Sequence, residues 1–358
     1  MEGLDSQQSM ESGRLPTRWG FCGTDTLAAL THPSLDPLFW RAERLGSESA
    51  WWEHVPFAHW LVCATAPRVL VELGTHTGVS YAAFCHAVAR AGLATRCHAV
   101  DTWQGDSHAG LYGPEVLADL RSFHDERFGA FSTLLQSTFD EALGHIEDRS
   151  IDLLHIDGLH TYEAVHHDFE SWLPKLSDRA VVLFHDINVR REDFGVWRLW
   201  AELRERYPGF EFVHGYGLGV LAVGTGIPAP VAALCELTDP AAIAIIRTRF
   251  AHLGERWRTD TRERLLAQDV GQLRTEIALI GSNAEQLRAE LTQRAAETDQ
   301  LLAEREAAEY TTEQLKHESA KIFETERDLA EARDRAEEAE APVSLVEAES
   351  NAAAVRAA

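Results

Sequence analysis

Two apolar runs in this 358-residue chain each end on groups that can carry charge. Ile151-Asp-Leu-Leu-His-Ile156 delivers Asp157-Gly-Leu-His160, and Ala180-Val-Val-Leu-Phe184 delivers His185-Asp186. As neighbouring strands of one sheet, the runs would bring both carboxylates to the same edge, within reach of one cation. With His160 or His185 they could hold Mg²⁺ or a similar ion, so Asp157, Asp186 and His160 are the candidate metal ligands. His160 is also the first candidate for a general base, ahead of His185 and His108. The plainer alternative has Asp157 capping the next helix and Asp186 pairing with an arginine such as Arg190. With 17 histidines in the chain, residue type alone singles out none of them.

A second set of residues lies earlier. Val69-Leu-Val-Glu-Leu-Gly-Thr-His-Thr-Gly78 runs from an apolar strand into a glycine turn, and the stretch from Val79 reads as a helix. In open α/β sheets such a turn is where a nucleotide-like ligand meets the carboxyl edge. Gly74 and Gly78 allow close approach of the backbone, and Glu72 at the strand end can accept hydrogen bonds. The spacing is not the dinucleotide pattern and lacks the lysine of a phosphate-binding loop. A ligand without phosphates therefore fits better than NAD or ATP. Asp101, closing Arg96–Asp101, occupies the place of a ribose acceptor; a turn or helix cap is the alternative.

The elements that must position these residues follow from the apolar pattern. Strands are expected at Arg68–Leu73, Arg96–Asp101, Ser132–Gln136, Ile151–Ile156 and Ala180–Phe184, each followed by a helix. Two more, 210–214 and 218–223, form an antiparallel pair. The expectation is a doubly wound, Rossmann-like α/β sheet of seven strands with the last antiparallel. The aromatic segment Trp40–Val62 reads as covering helices, either plain core packing or a lid over the pocket.

Past Gly226 the alternation stops. Leu266, Leu273, Ile280 and Leu287 share a seven-residue register that resumes at Leu301 after Arg294, and Val270, Ile277, Ala284 and Leu291 fill the partner positions. This predicts a coiled coil and self-association as a parallel dimer or trimer. Residues 260–340 carry 21 Asp/Glu against 11 Lys/Arg, which suits a solvated helix surface. The expected organisation is a tail and covering helices over 1–59, an α/β domain over 60–226, a helical linker over 227–258, the coiled coil over 259–340 and a disordered tail over 341–358.

The formal net charge of −24 argues against nucleic acid or an anionic membrane surface as partner. Five cysteines show no metal-binding spacing. No run approaches the ~18 apolar residues of a membrane span, so a cytoplasmic location is expected.

Taken together, Val71-Glu-Leu-Gly-Thr-His-Thr-Gly78, Val100-Asp-Thr-Trp-Gln-Gly-Asp106, Ile151–Tyr162, Val182–Asp186 and Phe194–Trp200 resemble the class I S-adenosylmethionine-dependent methyltransferases. More narrowly, they are similar to the bacterial group often encoded with or fused to glycosyltransferases. The resemblance covers roughly Trp60 to Gly224. It implies that Gly74 through Gly78, Thr75 included, approach the methionine part of the cofactor, and that Asp101 holds the ribose; Glu72 stands with them as a cofactor-binding candidate. Thr102 and Trp103 would lie beside the adenine, Gln136 and Ser137 at its edge, and Asp157 near the methyl group. Thr75-His-Thr77 departs from the commoner G-x-G. The resemblance further implies an O-methyltransferase acting on a sugar hydroxyl of a glycan or glycosylated metabolite, with S-adenosylmethionine as cofactor and Mg²⁺ assistance, and with glycosyltransferases as partners. Two alternatives stand beside it: a non-catalytic scaffold organised by the coiled coil, and the same fold running a hydroxylation.

Overall fold

The computed structural model describes residues 31–45, 49–191 and 193–355, with side chains to Glu338. The expected tail over residues 1 to about 15 lies outside them.

Among the described residues, nine strands fall at β1 Val69–Leu73, β2 Arg96–Asp101, β3 Gly105–Asp106, β4 Gly110–Leu111, β5 Ser132–Gln136, β6 Ile151–Ile156, β7 Leu176–His185, β8 Gly209–Phe212 and β9 Leu218–Ala222. Seven form one sheet in the order β5-β2-β1-β6-β7-β9-β8, while β3 and β4 make a small separate ribbon. The first five of the seven pair in parallel and β9 runs antiparallel to both β7 and β8. The sheet is therefore the doubly wound, Rossmann-like one expected, with its antiparallel last strand. Strand order reverses between β1 and β6, so their carboxyl ends open a crevice there.

The strands are valine-, isoleucine- and leucine-rich because both sheet faces are covered. Leu70, Leu153, Val181 and Leu183 point to one core layer, and their neighbours Val71, Leu154, Val182 and Phe184 to the other. The first layer is roofed by Val55–Thr65 and Val79–Ala91, and the second by Tyr162–Trp172 and Val196–Arg204. Local chemistry sets several helix starts. Gly78 at φ 78° opens Val79–Ala91, Pro114 sits in the first turn of Pro114–Phe128, and Thr138 with Glu141 forms a capping box before Phe139–Ala142.

β7 is longer than the expected 180–184. It begins at Leu176, which pairs with Ile151, and a register shift between Ile151 and Leu153 absorbs the polar Ser177-Asp178-Arg179. Trp52 and Phe57 are fully buried packing groups, whereas Trp51 from the same segment reaches the sheet edge. Among the described residues no single helix is long and apolar enough to cross a membrane.

The chain divides into two compact units, one ending at Gln268 and the other beginning at Asp269. Helix Pro240–Val355 continues through the stretch from Ala341 expected as a disordered tail, and residues 356–358 lie outside the described residues.

Candidate active site

A cavity of about 460 Å³ opens at the carboxyl ends of β1, β2, β6 and β7. Its size falls within the usual range of small-molecule sites. Of the sequence candidates, Gly74, Thr75, Asp101, Thr102, Asp157, His160, His185 and Asp186 line it. Six non-glycine residues among those described adopt positive φ. Four of them, His76, Trp103, Asp186 and Tyr216, lie at or beside this cavity. Backbone strain of that kind gathers where a site fixes its geometry.

The glycine turn is held from below. Gly74 has φ 85°, and a Cβ there would collide with the Asp157 carbonyl of the adjacent strand end. Its N–H donates to Val100 O at 2.9 Å, and Asp157 N–H donates to Leu73 O at 2.8 Å. Gly78 serves packing: a Cβ there would meet the Leu120 side chain. Asp101 is the brace of the turn. Its Oδ2 accepts from Thr75 N at 2.9 Å and His76 N at 2.8 Å, and its Oδ1 accepts from Trp103 N at 2.7 Å. Two carboxylate oxygens offer about four acceptor sites, so one remains for a ligand hydroxyl.

The charged centre lies beside the turn. His160 Nε2 sits 2.9 Å from Asp186 Oδ2 and 3.5 Å from Asp157 Oδ1. His185 Nδ1 sits 3.3 Å from Asp157 Oδ1 and 3.5 Å from Asp186 Oδ1. Trp51 Nε1 donates to Asp157 Oδ2 at 3.2 Å. Burial alone would lower the pKa of His160, but Asp157 and Asp186 outweigh it and raise it to about 10. The same opposition raises His185 to about 9. Burial pushes the Asp157 carboxyl up, and the two imidazoles, His185 first, pull it well below its ordinary value. Neither competing sequence reading survives. Thr161, not Asp157, caps the next helix by accepting from Ala164 N, and Arg190 donates to Ile187 O, not to Asp186.

The donor set suits a divalent cation. One ligand atom each from Asp157, His160 and Asp186 falls within 4.8 Å of the others. Asp186 Oδ1 is buried without a hydrogen-bond partner, its nearest imidazole nitrogen being His185 Nδ1 at 3.5 Å, as expected of an atom facing a site for an ion. Mixed imidazole and carboxylate ligands fit Mn²⁺ or Zn²⁺ as readily as Mg²⁺.

A second row orients these groups. His54 Nε2 and His185 Nε2 lie 3.1 and 3.0 Å from the same acceptor, Gly215 O. A carbonyl only accepts, so both nitrogens carry hydrogen and His185 presents Nδ1 to the carboxylates. Gly215, Tyr216 and Gly217 all have positive φ, which turns that carbonyl inward and sets Tyr216 on the cavity wall. His160 stacks on Phe194 at 4.9 Å and lies 5.6 Å from His108, which is fixed by Asp193 at 2.7 Å.

Other sequence candidates lie outside the cavity lining. Glu72 is fully buried, its Oε2 2.8 Å from His155 Nδ1, because the register sets those residues side by side. Burial raises its pKa, and the His155 contact opposes the rise. Trp103 is buried and donates from Nε1 to His76 O. Gln136 donates to Thr102 O, and Ser137 N–H donates to Asp101 O. At that edge the cavity is lined by Thr138 and Phe139, the residues that follow. Trp51, Tyr112, Tyr216 and Phe139 were not singled out from sequence. Only the aromatic richness of the Trp40–Val62 segment pointed toward Trp51.

Residues 71–187 match the family model described as a methyltransferase domain. The chain is 51% identical over 217 residues to protein y4gI of Sinorhizobium fredii, which is described as uncharacterized. That match takes in 60% of this chain and 24% of the relative, so the matched stretch spans about a quarter of the relative's length. Among solved structures, a methyltransferase of Podospora anserina bound to S-adenosylhomocysteine is similar at 13% identity, covering 59% of this chain and 98% of that one, with a TM-score of 0.37. The O-methyltransferase TomG of Streptomyces achromogenes, in complex with S-adenosylmethionine, is similar at 14% identity over 56% and 95%, with a TM-score of 0.38. The stretch that is similar to a methyltransferase domain, residues 71–187, runs from β1 past the end of β7 and so supplies most of the cavity wall.

Proposed function

We propose that the domain transfers a methyl group from S-adenosylmethionine to a hydroxyl oxygen, with a sugar hydroxyl of a glycan or glycosylated metabolite as acceptor and with cation assistance. The observation that carries this reading is the buried centre of Asp157, His160, His185 and Asp186 beside the glycine turn. A carboxylate-lined cavity at a switch point suits a ligand that is cationic and lacks phosphates. S-adenosylmethionine, when bound, supplies an electrophilic methyl on a positively charged sulfur. The backbone of Gly74 and Thr75 would border its methionine part. The spare acceptor position on Asp101 would take a ribose hydroxyl, and Thr102, Thr138 and Phe139 would flank the base.

Methyl transfer is an in-line displacement, so the protein's work is to orient the acceptor and take its proton. Asp157 and Asp186 would hold the acceptor side of the cavity, oriented by Trp51 and by the turn at Gly215. With the cation held by Asp157, His160 and Asp186, His160 Nε2 would be a ligand, and His185 Nδ1 would take the proton. That requires the neutral imidazole, whereas Asp157 and Asp186 hold His185 protonated. A divalent cation in that place, when bound, supplies the opposing charge that lowers the pKa of both the His185 imidazole and an acceptor hydroxyl. The pocket wall adds exposed Tyr216, an aromatic face of the kind that packs on a sugar ring.

The heptad positions beyond Leu266 support self-association through the long helix, with glycosyltransferases as partners of the assembled enzyme. A scaffold without catalysis would leave the cost of burying four charged groups unexplained. The experiment is transfer of radiolabelled methyl from S-adenosylmethionine to a panel of sugars and nitrophenyl glycosides. Label in a glycoside product, lost with Asp157→Asn, is the expected result. Label in catechols but in no glycoside would reject the sugar acceptor, and label in nothing tested, despite cofactor binding, would favour the scaffold.

A further inference from the structure

We infer that the helix beyond Asp269 pairs with a second copy of this chain, the two chains running parallel and in register along Val270–Leu291. The inference rests on the self-association proposed above, whose parallel direction the sequence already predicts, and adds the number of chains and their register.

The helix leaves a complete apolar seam exposed. Val270, Leu273, Ile277, Ile280, Leu287 and Leu291 are between 45% and 68% accessible. They alternate at spacings of three and four with Ala284 between them, which is the a and d pattern of a coiled coil. Val270, Ile277, Ala284 and Leu291 take the a sites, and Leu273, Ile280 and Leu287 the d sites. At on the order of 100 Å² per large side chain, the six bury roughly 600 Å² per chain. Leu301, Leu315, Ile322 and Leu329, further along the d row and 59–72% exposed, extend the stripe. They carry the total past the ~800 Å² that each partner gives to a standard interface.

The kinds of residue on the seam choose the number of chains. β-branched Val270 and Ile277 at a, with Leu273 and Leu287 at d, favour two strands, and they outnumber Ile280 at d and Leu291 at a, which favour more.

The flanking charges choose the direction. The g positions are Asp269, Glu276, Asn283 and Glu290, and the charged e positions are Arg274 and Arg288. In a parallel pair each g residue faces the e residue five positions on in the other helix, so Asp269 meets Arg274 and Asn283 meets Arg288. In an antiparallel pair g faces g and e faces e, which sets acid against acid and arginine against arginine. Flanking charge of this kind sets orientation. Beyond Leu291 the seam weakens for a stated reason. Arg294 and Arg305 occupy core sites, and Glu304 would face Glu309.

The test uses the full chain. Light scattering should give twice the 39.9 kDa of one chain. Leu273→Cys and Leu287→Cys should each form an interchain disulfide under mild oxidation, because d meets d only in a parallel, in-register pair. Leu279→Cys, on the same helix but off the seam and 62% exposed, should not. Arg274→Glu should weaken the dimer, and adding Asp269→Arg should restore it. A mass of one chain would overturn both this inference and the self-association beneath it. A mass of three chains, or a dimer in which neither d-site cysteine crosslinks, would overturn this inference alone.

Discussion

Asp101→Asn separates two jobs that one carboxylate can do. In the wild-type turn its Oδ2 takes the N–H groups of Thr75 and His76, and its Oδ1 takes that of Trp103. Asparagine keeps one oxygen and turns an NH₂ toward whichever donors it cannot serve. One or two buried N–H groups then lose their acceptor at ~1–3 kcal/mol each, and the retained bonds lose their charge. A cost of roughly 2–4 kcal/mol is expected for the folded unit. For a unit of this size that lowers the melting temperature by roughly 5–15 °C. The assay is a thermal melt by circular dichroism beside a calorimetric titration with S-adenosylmethionine. The account predicts that stability and cofactor affinity fall together, because the turn that lines the cavity is released. A melting temperature within about 2 °C of wild type, with cofactor binding abolished, would refute the bracing role. It would leave the carboxylate as a ligand group alone.

Three further outcomes follow from the same geometry. Gly74→Ala, at φ 85° and against the Asp157 carbonyl, should cost more than ~2 kcal/mol; Gly78→Ala, whose new methyl meets only the mobile end of Leu120, should cost less by urea denaturation, and the reverse order would contradict the close approach of β1 to β6. In EDTA-treated protein, His160 and His185 have folded pKa values of about 10 and 9 against an ordinary 6.5, so their contribution is complete below pH 6.5 and is lost as pH rises through 9 to 10. The melting temperature should therefore fall from pH 7 to pH 10 and the slope should flatten in Asp157→Asn, whereas an equally steep slope in that variant would remove the charge cluster as its cause. Asp186→Asn should weaken Mn²⁺ binding by at least tenfold, or about 1.4 kcal/mol, read by electron paramagnetic resonance; unchanged binding would place the ion elsewhere.

The alternation of β-branched runs with glycine, proline and capping signals made the sheet legible, because each strand is buried on both faces and each helix begins at a local device such as Gly78, Pro114 or Thr138. Asp157, His160, His185 and Asp186 were legible for the same reason: strand ends fix where a following residue emerges. What the sequence hid are the contacts that depend on register and on distant segments. Glu72 looks like a ligand group until β1 and β6 are aligned and His155 takes its side chain. Gln136 and Ser137 are turned to the Asp101–Thr102 backbone, so the wall falls to Thr138 and Phe139. Trp51 reaches Asp157 across 106 positions, and Gly215 braces His185 across 30. No local pattern encodes such pairings.

The central claim is that the cavity beside Gly74 binds S-adenosylmethionine next to a cation held by Asp157, His160 and Asp186. Calorimetric titration of S-adenosylmethionine and S-adenosylhomocysteine into the purified protein, with and without a divalent cation, tests it most directly. The account predicts micromolar binding of both, with Asp186→Asn abolishing any change that the cation produces while cofactor binding in its absence is retained. A folded protein that binds neither compound under any of these conditions would contradict it.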